Sequence, residues 1–324
     1  GGMAAALGGV VATGVLLAVL VIGCGGSAAS PAASGTESPG NNPPTSEAAF
    51  PRTLIDDVGD SVTINAEPQK IVALTPASLE TLAELGLADR VVAVAECTCT
   101  PDVLKSIPTV ANYSGVDVES IVALEPDLVF VAAPPFTPED AISALRAANL
   151  TIVTLSPTSI TGVLQTIQLI GDSAGATLPA ADLVANIESE ITALVSLVDQ
   201  SVRPSVFYEI DATSAIYGLA PDDYAAELIT LAGGEPVTSG SPGVYEISLE
   251  ALIAAAPEVI LLGDAAYGVT PEAVVARPGW SSIPAVKNGA IRAVDGDLIT
   301  IPGPRLASAL AALIQAMNPA ITLP

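Results

Sequence analysis

From Arg52 onward, short apolar runs alternate with stretches in which apolar residues return every third or fourth position. Ile71–Leu74, Val91–Ala95, Leu128–Ala132 and Thr151–Leu155 read as buried strands. Ser78–Leu85, Val116–Leu124 and Pro138–Ala148 carry helical spacing between them. Ahead of these, Thr53–Asn65 holds two short β-prone runs around Asp57-Val58-Gly59-Asp60, which predicts a hairpin. The alternation resumes later in Ser205–Ile210, Asp222–Leu231, Leu249–Ala255, Val259–Leu262, Ile291–Val294 and Arg305–Met317. Strands alternating with helices predict an α/β fold with parallel sheets flanked by helices.

Between the two series lies a different pattern. Leu183, Ile187, Ile191, Leu194 and Val198 recur at helical spacing through Pro179–Val202, and Arg203-Pro204 supplies a stop. A helix over that stretch is about 35 Å long. Units on either side echo each other. Glu119–Val129 and Glu250–Ile260 each give a helix, a proline turn with an acidic residue, then an apolar run. In a second echo, Glu80 stands six residues before Gly86 and Glu227 six before Gly233. Repetition about a long helix predicts two similar, Rossmann-like lobes joined by one bridging α-helix. The expected division is 52–178 for the N-terminal lobe, 179–202 for the bridge and 203–324 for the C-terminal lobe.

The beginning of the chain follows another logic. Val10–Ile22 is apolar apart from Thr13 and Gly14, and Gly23-Cys24 comes next. A short apolar run ending in small residues is expected to be a signal peptide, residues 1–24. Val21-Ile22-Gly23-Cys24 resembles a lipobox, which makes Cys24 the expected site of lipidation and of a membrane anchor. The usual positive leader is missing, since no basic residue precedes Arg52. Residues 25–51, rich in Gly, Ser, Ala, Pro and Asn, are expected to be a flexible linker.

Composition narrows the chemistry. Lys and Arg number 10 against 35 Asp and Glu, a net charge of −25, which disfavours nucleic-acid binding. The chain holds no histidine, so triad catalysis with an imidazole base and His-rich metal cages are excluded within it. The phosphate-loop and dinucleotide fingerprints do not occur. Chemistry based on carboxylates alone passes this filter.

Several segments, taken in order, resemble the helical-backbone (class III) periplasmic or solute-binding proteins of ABC importers, of the cobalamin and ferric-siderophore type. They are Asp56-Asp57-Val58-Gly59, Gln69–Pro76 leading into Glu80-Thr81-Leu82, Glu119–Val131, Phe207–Asp211, and Arg277-Pro278-Gly279-Trp280 through Pro302–Arg305. The resemblance implies a ligand held between the lobes by loops at the carboxyl ends of the strands. It implies ligand contacts from Thr75, Pro76, Ser78, Cys99, Thr100, Tyr113, Pro134 and Phe136 on one side. On the other it implies Asp211, Tyr217, Tyr245, Tyr267 and Arg305. Glu80 and Glu227 are the expected docking acids for the permease. Cys97 and Cys99 flank one residue, and free thiols, ligand contact and a bridge are all compatible with that spacing. Trp280 reads as packing or as ligand stacking.

Leader, composition and resemblance together predict an exported, membrane-anchored binding lipoprotein, monomeric, without cofactor or catalytic role. It is expected to deliver a corrinoid to an ABC permease and its ATPase. A ferric siderophore or haem is the alternative ligand. A carboxylate-based surface hydrolase and a ligand-sensing lipoprotein are the more distant readings.

Overall fold

The computed structural model describes residues 49–323; Cys24, the leader and nearly all of the linker lie outside the described residues. The chain opens with the hairpin β1 (Arg52–Ile55) and β2 (Ser61–Ile64), paired antiparallel. Its turn is tied down by two adjacent acids. Asp56 accepts the N–H groups of Val58, Asp60 and Thr154, and Asp57 accepts the Ser156 N–H and the Thr166 hydroxyl. Burial raises the Asp57 pKa, and its bonds from Thr166 and Ser156 lower it only in part.

The N-terminal lobe then alternates as its periodicity predicts: β3 (Ile71–Ala73), α1 (Pro76–Glu84), β4 (Val91–Ala95), β5 (Thr109–Asn112), β6 (Gly115–Val116), α2 (Val118–Ala123), β7 (Leu128–Ala132), α3 (Glu139–Ala147) and β8 (Ile152–Leu155). The strands form one sheet in the order β6-β5-β4-β3-β7-β8, parallel except for β5–β6. Ile71 and Phe130 pack on one face of it, Val72 and Val129 on the other, so both faces are buried.

Two helices come next, α4 (Ile160–Ala174) and α5 (Thr177–Ser196), joined through Gly175 in a left-handed conformation. Helix α4 contributes to the cores of both lobes, and α5 packs along it. Ile160, Val163 and Ile167 of α4 belong to the C-terminal core, whereas Leu169, Ile170 and Ala174 belong to the N-terminal one. Helix α5 starts at Thr177, held by Arg52 of the hairpin, and returns to bury Ile187 and Leu194 in the C-terminal core. At twenty residues it is about 30 Å long.

The C-terminal lobe comprises β9 (Ser205–Glu209), α6 (Tyr224–Leu231), β10 (Glu235–Val237), α7 (Leu249–Ala255), β11 (Val259–Leu262), α8 (Pro271–Val275), α9 (Pro284–Lys287), β12 (Ile291–Ala293), α10 (Gly296–Thr300) and α11 (Leu306–Met317). Its sheet is fully parallel, ordered β10-β9-β11-β12. Among the described residues no helix is long and apolar enough to cross a membrane.

Candidate functional site

In open α/β sheets, ligands bind beyond the carboxyl ends of the strands, where the order reverses. In the N-terminal sheet that point lies between β3 and β7. The loops after them, Thr75-Pro76 and Ala133–Phe136, line a cleft of about 680 Å³. Tyr113, from the β5–β6 turn, adds to this wall. It is 98% exposed and Phe136 is 89% exposed. Two aromatic side chains standing uncovered over a cleft are surface for an apolar partner.

The opposite wall comes from Asp222, Asp223, Tyr224 and Tyr245, with Thr300, Ile301 and Pro302. Asp223 caps α6 through the Ala225 N–H and accepts the Tyr245 hydroxyl at 3.1 Å. Partial burial, then the charge of Asp223 beside it, pushes the Tyr245 pKa up to about 12. Tyr245 therefore presents a neutral phenol.

The reversal point of the C-terminal sheet, between β9 and β11, does not reach the cleft. It is plugged. Glu209, fully buried at the end of β9, takes a bidentate grip from Arg277 at 2.6 and 2.8 Å. The guanidinium lies 4.6 Å over the Trp280 ring, which also packs edge-on against Phe207. Trp280 is thus a packing residue. Asp264 beside this pair is 3% exposed, and burial, followed by the charge of Glu209 and a hydrogen bond to it that only a protonated Asp264 can make, pushes its pKa up to about 6.

Of the expected contact residues, Thr75, Pro76, Tyr113, Phe136 and Tyr245 meet at the cleft. Pro134 sits between two lining residues, cis to Pro135. The others do different work. Ser78 is buried and exchanges capping hydrogen bonds with Thr75 at the start of α1. Cys99 is bridged to Cys97, and Thr100 donates to the Cys97 carbonyl. The residue enclosed by that bridge, Thr98, donates to Asp297 of the other lobe at 2.6 Å. Asp211 and Tyr217 pair with each other in a turn, and Tyr267 stands 83% exposed away from the cleft. Arg305 faces Glu80 across the lobes rather than a ligand.

That pairing also answers for the docking acids. Glu80 is 4% exposed, so it presents no free carboxylate at the surface. Glu227 is exposed, but its Oε2 accepts the Ile160 N–H at the start of α4, where the helix dipole favours a negative charge. The first echo marks a different pair. Glu119 and Glu250 both stand exposed in the first turn of short helices, α2 and α7, capped by Asp117 and Ser248.

Residues 171–175, Gly-Asp-Ser-Ala-Gly, have the spelling of a hydrolase nucleophile turn. The fold removes that reading. Ser173 is fully buried inside α4 and donates to the Leu169 carbonyl, as helix-interior serines do.

A family model of periplasmic binding proteins matches residues 71–298, most of the chain. The chain belongs to that family. The uncharacterized ABC transporter substrate-binding lipoprotein YvrC of Bacillus subtilis is 31% identical over 310 residues, covering 94% of this chain and 95% of that protein. A cobalamin-binding protein of Halobacterium salinarum is 29% identical over 284 residues, 83% of this chain and 75% of that one. Among solved structures, the periplasmic heme-binding protein BhuT with two hemes has a TM-score of 0.69 at 27% identity, over 78% of this chain and 99% of BhuT. This periplasmic binding protein is accordingly a solute-binding component of an ABC transporter that works outside the cytoplasm, and it is not an enzyme.

Proposed function

We propose that this binding protein captures a corrinoid between its lobes and delivers it to an ABC permease with its ATPase, as a monomer anchored through lipid on Cys24. The observation that carries the ligand class is the cleft. Tyr113 and Phe136 on one wall and Tyr245 on the other offer flat apolar faces, with hydroxyls that can meet amide groups at a macrocycle's edge. Its volume of about 680 Å³ falls in the usual range for ligand sites. The likeness to a cobalamin-binding protein over most of the chain supports the same choice. The lipid anchor is supported by the lipobox at Cys24 and by the lipoprotein relative in Bacillus subtilis.

A ferric siderophore or haem is the second reading, favoured by the structural likeness to BhuT and by the cleft phenols. For docking, Glu119 and Glu250 take the place of Glu80 and Glu227. Each lobe then offers one free carboxylate on an equivalent helix, suited to pairing with arginine.

The test is titration of the purified protein with cyanocobalamin, haem and several ferric siderophores. Saturable binding of the corrinoid, with quenching of protein fluorescence, is expected; binding of haem or a siderophore alone would replace the first reading by the second.

A further inference from the structure

We infer that the cleft sorts ligands by charge, admitting neutral and cationic molecules and turning away anions, with Asp222 and Asp223 as the residues that impose the choice. The inference rests on the cleft being the ligand site.

Three observations carry it. First, the charged residues on the cleft walls are all acids: Glu96, Asp222 and Asp223 line it, and no Lys or Arg does. Arg305 is the cation next to this wall in the chain, and its guanidinium is spent on Glu80 at 2.6 and 2.8 Å. Second, the two aspartates do not stop at one cavity. They also line a second one of about 460 Å³, whose further wall carries Glu227. A ligand group passing beyond the Asp222-Asp223 edge therefore moves from acid to acid. Third, the Tyr245 hydroxyl donates a hydrogen bond to Asp223, so its oxygen is turned toward a carboxylate and its hydroxyl is not free to receive an anion.

The physical consequence is direct. An anionic group entering a low-dielectric cleft needs a donor or a cation to replace its water. Here it meets carboxylates in the field of a chain carrying a net charge of −25. A neutral amide can donate to those same oxygens, and an ammonium or a cationic metal chelate is attracted to them. The chemical class selected is amide-rich or amine-bearing, and carboxylate- or catecholate-bearing chelates are rejected.

The experiment compares ligands of one skeleton that differ in charge: neutral cyanocobalamin, cationic aquocobalamin, and cobalamin side-chain carboxylic acids. Cationic ferrioxamine B and anionic ferric citrate form a second pair. The neutral and cationic forms are expected to bind at least about tenfold tighter than the anionic forms at low salt, with the gap narrowing as salt rises. Asp223→Asn and Asp222→Asn should shrink the gap by several-fold. Both variants are expected to fold, because the amide oxygen can keep the caps that Asp223 gives Ala225 and Asp222 gives Gly243. Equal affinity for the acid forms, or an unchanged ratio in both variants, would overturn the charge selection alone. Failure of every probe in every charge form would overturn it together with the reading of the cleft.

Discussion

Arg305 of the C-terminal lobe holds Glu80 of the N-terminal lobe through a single oxygen: its Nε and Nη2 lie 2.8 and 2.6 Å from Oε1. Among the described residues Oε2 has no hydrogen-bond partner, and it is buried near Gly303, where a Cβ would come within 2.9 Å of it. With Thr98–Asp297, this gives two polar ties between the N-terminal lobe and the segment Asp295–Arg305. The same segment supplies Thr300, Ile301 and Pro302 to the cleft, so contact between the lobes and the cleft wall share one piece of chain.

Removing only the cation leaves a buried carboxylate without a partner. Arg305→Leu is expected to destabilise the protein by about 1–3 kcal/mol, the lower part of that range reflecting the partly exposed guanidinium. Glu80→Leu with Arg305→Leu should cost less than Arg305→Leu alone. Urea unfolding of the single and double variants measures the difference. An additive double variant would contradict the pairing.

For Glu119 and Glu250, reversal to Arg at both positions should abolish uptake in cells while leaving ligand affinity unchanged, since neither lines the cleft. Reversal at Glu227 should instead weaken the start of α4, lowering the melting temperature. Transport assays beside calorimetry on the same variants separate the two roles.

Asp264 makes stability depend on pH in an unusual direction for a carboxylate. Its folded pKa, raised to about 6 by burial and by Glu209, lies above the ordinary 3.8. The fold therefore favours the protonated form. The stability it contributes is full below about pH 4 and is lost as pH rises through about 6. Lowering pH from 7 to 5 should gain about 1 kcal/mol from this group. Asp264→Asn should flatten that part of the profile, as followed by thermal melts across pH. A wild-type profile that falls over the same interval and is matched by the variant would refute it.

Helices α4 and α5 meet at a glycine. A Cβ on Gly171 would stand 2.2 Å from the Ala180 Cβ and 2.9 Å from the Ala176 carbonyl. Gly171→Ala should force the pair apart at a cost of about 1–3 kcal/mol, partly restored by Ala180→Gly. Denaturant midpoints of the two variants and their combination give the comparison.

The kinds of element were legible because they depend on near neighbours in the chain. Ile71–Leu74 and Leu128–Ala132 are too short and too apolar to be anything but covered strands, and the long periodic stretch could only be a helix. The N-terminal cleft wall came from the same source, since Thr75, Pro76 and Phe136 simply continue strands whose order reverses there. The C-terminal wall did so only at Tyr245, because Arg277 and Trp280 close off the ends of β9 and β11 from far along the chain. Asp222 and Asp223, which face the cleft instead, carried no local signal beyond a helix cap.

Sequence alone determined the α/β alternation, the paired lobes and the absence of imidazole chemistry, all of which rest on residue type and spacing. Tertiary structure alone decided which acids are free. Glu80 and Glu119 look alike in the chain, each in a helix with an echo in the other lobe. One is buried because an arginine 225 positions away neutralises it, and the other stands exposed in the first turn of α2. The cost of burying a carboxylate is set by what lies within a few ångströms in space, and spacing along the chain does not carry that information.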